Sequence, residues 1–70
     1  MPLTMADIGQ EYVITLVKGN DAAKLHLQSL GFTLGARVVV VSDVSGGLIV
    51  NIREARIAIN RQMANKVMVA

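Results

Sequence analysis

The sequence predicts a mainly β protein, a small five-stranded barrel with one short inserted α-helix and a terminal helical turn. Three observations carry that expectation. The run Arg37-Val38-Val39-Val40-Val41 is too rich in β-branched residues to be anything but strand. Short apolar alternations recur on either side of it, separated by turn residues such as Ser45-Gly46-Gly47. One stretch, Ala22 to Leu30, has a different period: Ala23, Leu27 and Leu30 fall at i, i+4 and i+7, the buried stripe of a short helix.

In chain order, Leu3 to Gly9 reads as an opening turn. Thr4 is placed to cap its first amides, Asp7 to reach back, and Gly9 to end it, with Leu3, Met5 and Ile8 holding it down. Tyr12 to Val17 is the first strand, with Tyr12, Ile14 and Leu16 on one face and Val13, Thr15 and Val17 on the other. Lys18-Gly19-Asn20-Asp21 breaks it, and Asn20 or Asp21 caps the helix. So short a helix does not hold alone in water and must pack on the sheet.

Gly31 directly follows Leu30, where a helix C-terminus needs a left-handed residue. Gly35 opens the next turn and delivers the chain into the strand Arg37 to Asp43. After the hairpin turn, Leu48 to Ile52 returns with Leu48, Val50 and Ile52 on one face. Arg53-Glu54-Ala55 is a tight connection to Arg56 to Asn60, where Ile57 and Ile59 point inward. Asn60 caps a single turn, Arg61 to Ala64, and a last strand, Lys66 to Val69, places Val67 and Val69 inward. Strands two to four form an antiparallel meander, and curling it into an SH3-like barrel removes most exposed edges.

Seventy residues make one domain, 1–70, near the lower size limit for an unstapled core. Without cysteine there is no disulfide or thiolate metal site, but 53% hydrophobic against 17% charged residues indicates a dense aliphatic core. No basic segment precedes an apolar run at the N-terminus, and no apolar run approaches the roughly 20 residues that span a bilayer, so no membrane insertion is expected and the location is read as cytoplasmic. The net charge of +2 comes from scattered basic residues, and with one Phe, one Tyr and no Trp there is no platform for stacking bases. Nucleic acid is therefore not expected as a partner.

No nucleophile stands beside a base, and the glycines do not spell a phosphate loop, so no catalytic residue, enzyme activity or cofactor is expected. His26 has Ala22 at i−4 and Leu30 at i+4, neither of them a ligand; the solvent-facing reading outweighs the metal-ligand one, and no metal residue is assigned. Apolar residues exceed what one small core needs: Leu25, Phe32, Leu34, Val39, Val41 and Met68 compete for few buried places. Either the helix and corner bury most of them, or some form a docking patch for a partner. In the second case Leu25, Phe32 and Leu34 are the contact residues and Arg37 is the polar rim.

The corner Leu27-x-x-Leu30-Gly31-Phe32-x-x-Gly35-x-x-Val38 resembles the central motif of the ferrous iron transport protein A (FeoA) family, with Leu27, Leu30, Gly31 and Gly35 as its structural residues. The likeness runs almost end to end: Leu3 to Gly9 is similar to the family's opening turn, Ile14 to its first-strand isoleucine, Ile57-Ala58-Ile59 to its fourth strand, and Ala64, Val67 and Val69 to its closing segment. There are departures. Leu34 stands where proline usually precedes the second glycine, Glu54 where a glycine is often seen, and His26 where a basic residue is common; the hairpin lacks a frequent proline.

The resemblance implies a cytoplasmic SH3-like accessory protein of bacterial ferrous iron uptake. In the family this action is directed at the membrane permease FeoB, through contact with its cytosolic G-protein domain. The same module occurs at the C-terminus of metal-dependent repressors of the diphtheria toxin repressor type. A metal-binding regulatory barrel, and less so a nucleic-acid-binding one, are the alternatives. An exposed sheet edge also makes a homo-oligomer an open expectation.

Overall fold

The computed structural model describes residues 1–70. A 3-10 turn, Leu3–Met5, precedes strand β1 (Glu11–Val17), helix α1 (Asp21–Ser29), strands β2 (Arg37–Val44), β3 (Gly47–Ile52) and β4 (Ala55–Asn60), helix α2 (Arg61–Ala64) and strand β5 (Val67–Val69). The strands form one antiparallel sheet in the order β4-β3-β2-β1-β5. Its concave side holds a core of 15 buried apolar residues, and no polar side chain is buried with them. This is the five-stranded, mainly β, SH3-like architecture expected from the alternations.

The curl of the sheet comes from β1, which changes partner midway. Glu11 to Val13 pair with β2, while Ile14 to Val17 pair with β5. The register shifts between Ile14 and Leu16, so Thr15 is the extra residue of a bulge, and a bulge bends and twists its strand. A bulge also resets the alternation. Tyr12 and Ile14 are buried as expected, but Leu16, expected beside them, is 49% exposed, and Val17 turns partly inward instead.

The opening turn differs from its expected form as well. Thr4 does not cap it: its hydroxyl donates to the Asn65 side chain at 2.6 Å. Asp7 does not reach back with its carboxylate; its own N–H donates to the Tyr12 hydroxyl at 3.0 Å. Met5 and Ile8 are exposed, and only Leu3 is buried. The segment is held by backbone bonds to the sheet, such as Gly9 N–H to the Val40 carbonyl at 2.9 Å, so one apolar contact suffices.

Both helix starts are local and follow the sequence. Asn20 accepts from Ala23 N–H at 2.8 Å and Asn60 from Met63 N–H at 2.7 Å, each satisfying an amide that the helix leaves unpaired. Gly47, read as the end of the hairpin turn, instead begins β3 and is buried. A Cβ there would collide with the backbone carbonyl of Ile59, so β3 and β4 approach closely because this residue has no side chain. The Arg53-Glu54 connection keeps a left-handed two-residue turn without glycine, with φ of 47° and 67°.

Candidate docking groove

Because β2 begins only at Arg37, the second half of β1 has no β2 neighbour; the corner and α1 occupy that space. The corner is built from the end of α1. Gly31 N–H donates to the Gln28 carbonyl and Phe32 N–H to the Leu27 carbonyl, both at 3.0 Å, with Gly31 at φ 105°. This pair of bonds is a Schellman stop, and the apolar contact that accompanies it is Phe32 against Leu27. Both side chains are essentially inaccessible, and burying each contributes about 1.5–3 kcal/mol. Gly35 N–H then donates to the Ile14 carbonyl at 2.8 Å, and Ile14 N–H to the Ala36 carbonyl at 2.9 Å, which sews the corner to β1.

Between these parts lies a groove of about 290 Å³, lined by Leu16 and Val17 of β1, Lys24 and Gln28 of α1, and Phe32, Thr33 and Leu34 of the corner. Its floor is Phe32, and its apolar walls are Leu16 and Leu34, the latter 67% exposed. Lys24 supplies a positive charge at the rim. Both ion pairs of the molecule, Arg37 with Glu11 at 3.8 Å and Arg61 with Asp43 at 2.7 Å, lie outside the groove and leave Lys24 unpaired. Arg53 reaches across from the β3–β4 turn, packs its stem beside Gly31 and donates to the Thr33 hydroxyl, tying the corner to the sheet.

Of the four residues expected to contact a partner, Phe32 and Leu34 come together here, but in different roles. Phe32 is 1% exposed, so it shapes the groove and offers no surface of its own; its place in the helix stop drives it into the core. Leu25 is 66% exposed on α1 and does not line the groove. Arg37 is likewise not among the lining residues; its side chain is exposed and points to Glu11 across β1 and β2. Leu27 is buried, Leu30 half-buried, and Gly31 and Gly35 sit at the two turns of the corner. The residues that the sequence did not mark are Leu16, Val17, Lys24, Gln28 and Thr33. Alternation pointed Leu16 the wrong way, and the polar three carry no pattern of their own.

His26 is exposed in the last turn of α1, and no three His, Cys, Asp or Glu side chains lie close enough to share an ion. These residues do not fit a protein-held metal site. No helix is long and apolar enough to cross a membrane.

Fold and groove together define a class: small SH3-like barrels with an apolar groove beside an inserted helix. Within it, the chain belongs to the FeoA domain family, whose profile matches residues 1–70. It is 31% identical over 68 residues to a candidate Fe(2+) transport protein A of Methanocaldococcus jannaschii, covering 97% of this chain and 83% of that one. It is similar to the crystal structure of an iron uptake regulatory protein (FeoA), with 30% identity, a TM-score of 0.91, and 99% and 93% of the two chains covered. It is also similar to the FeoA of Stenotrophomonas maltophilia, a prokaryotic SH3 domain protein solved with zinc, with 30% identity, a TM-score of 0.85, and 100% and 89% covered.

Proposed function

We propose that this chain is an accessory protein of ferrous iron uptake that docks, through the groove between β1, α1 and the corner, onto the cytosolic G-protein domain of the FeoB permease. In this reading iron is the cargo of the permease. The observation that carries this reading is the exposure of Leu16 and Leu34 over buried Phe32: two large apolar side chains that the core does not use, flanking one concave site. Family membership supports the iron-uptake context. The groove is small beside a standard interface of roughly 800 Å² per partner, so the contact is transient. Direct iron carriage has less support, because His26 belongs to no group of three His, Cys, Asp or Glu side chains.

The test is calorimetric titration of the G-protein domain from the same organism, with and without a GTP analogue, and then of the full permease in detergent. Binding that Leu34→Asp abolishes while the variant stays folded supports the reading. No binding to either form overturns it.

A further inference from the structure

The arginines and the lysines of this chain are used differently. Every arginine is engaged with another side chain: Arg37 with Glu11, Arg61 with Asp43, Arg53 with the Thr33 hydroxyl and Arg56 with Asn51. None of the three lysines makes an ion pair or a side-chain hydrogen bond.

The fold gathers those three lysines at one end of the groove. Lys18 directly follows Val17 of the groove wall, and its N–H donates to the Lys66 carbonyl at 2.7 Å, which brings the segment before β5 alongside. The Lys66 ammonium lies over Gly19, 3.6 Å from where a Cβ would stand, and the Ala23 side chain of α1 meets the same point at 3.2 Å. Lys24 is the next residue of the helix and lines the groove itself. Lys18 and Lys24 are exposed, and Lys66 is half-buried.

The chain's net charge of +2 therefore sits here. Asp21, in the first turn of α1, is the one acid of this end, so three lysines against one carboxylate leave two positive charges. Elsewhere four arginines meet four acids, Asp7, Glu11, Asp43 and Glu54, and cancel. No residue that lines the groove is acidic. Like charges held near one another without a counter-charge repel, and an incoming carboxylate relieves that repulsion.

Given the docking reading, on which this rests, we propose that the groove takes an acidic segment of a protein partner. One apolar side chain of that segment sits between Leu16 and Leu34 over Phe32, and carboxylates beside it face Lys18, Lys24 and Lys66. A groove of about 290 Å³ holds only one or two apolar side chains, so these give grip while the charges select the segment. A nucleic acid would need exposed aromatic faces for its bases, and both Phe32 and Tyr12 are buried. An anionic lipid surface is read by clusters of about four to eight basic residues, more than gather here.

Amide-shift titration of the isotope-labelled chain with two blocked synthetic peptides tests this at low ionic strength. Both peptides carry the same pair of leucines, flanked in one by three glutamates and in the other by three glutamines. The glutamate peptide is expected to move the amides of Leu16, Lys24 and Leu34 and to bind at least about fivefold more tightly. That advantage should shrink in about 0.5 M salt, where exposed charges are screened. Lys24→Glu is expected to weaken the glutamate peptide at least about threefold, whereas Arg56→Glu, the same change of charge on β4, leaves it unaltered. Equal binding of the two peptides, equal losses in the two variants, or no shift in the groove overturns the proposal. So does a response to phosphatidylserine vesicles in place of the peptide. The G-protein domain separates this from the docking reading. If that domain binds and Lys24→Glu does not weaken it, the acidic segment is overturned and docking stands. If it does not bind while the peptides still differ, docking onto that partner is overturned and the groove's acidic preference stands.

Discussion

Phe32 and Leu34 stand two residues apart in one corner, both large and apolar, yet one is 1% exposed and the other 67%. Their chemistry does not separate them; their backbone does. Phe32 is the residue whose amide closes the helix stop on Leu27, which turns its side chain onto the same core. Leu34 comes after the stop and before the Gly35 bond to β1, where the chain runs along the outside. One apolar residue therefore stabilises the fold and the next stays exposed on the groove wall. In a domain this small, an exposed groove wall and a core wall are made by near neighbours in the chain.

The largest expected effect tests the buried half. Phe32→Ala leaves a cavity under the corner and is expected to cost about 3–5 kcal/mol in urea unfolding, enough to unfold a chain of this size in part. Gly31→Ala should cost about 1–2 kcal/mol, because the left-handed backbone that directs Phe32 inward is strained for any side chain. That loss should appear in the same unfolding titration with little change in its slope. At the other end of α1, Asn20→Ala removes one cap and is expected to cost about 1 kcal/mol, read as a lower thermal midpoint. Leu34→Ala should change stability by no more than about 0.5 kcal/mol, although it removes as large a side chain as many core substitutions do. A loss at Leu34 comparable to that at Phe32 would erase the distinction between the two halves and remove the argument for a free docking wall.

The parts of the fold legible in the sequence are those decided within a few residues. Asn60 was readable as a cap, and the cap of α1 was readable as Asn20 or Asp21, because a cap reaches only its own helix; the structure selects Asn20. The Gly31 stop was readable because it depends on the residues just before it. Leu16 was misread because the bulge at Thr15 arises from β1 leaving β2 and joining β5, a pairing with residues far along the chain. Gly47 looked like a turn glycine because nothing local shows that the Ile59 backbone comes against it. Of the docking groove, Leu34 was legible as surplus apolar surface, whereas Lys24, Gln28 and Thr33 became part of a site only once α1 had packed beside the corner.

Taken alone, the order of residues settles which segments are strands and which are helices, which faces of β3 and β5 are apolar, and that a glycine corner follows the helix. These rest on backbone preference, short-range capping and period, none of which needs a distant partner. Tertiary structure decides the rest: that the sheet curls at Thr15, that Phe32 goes in while Leu34 stays out, and that the N-terminus pairs along β5. Each of these depends on which strand lies beside which, and that is set by closing the whole core at once.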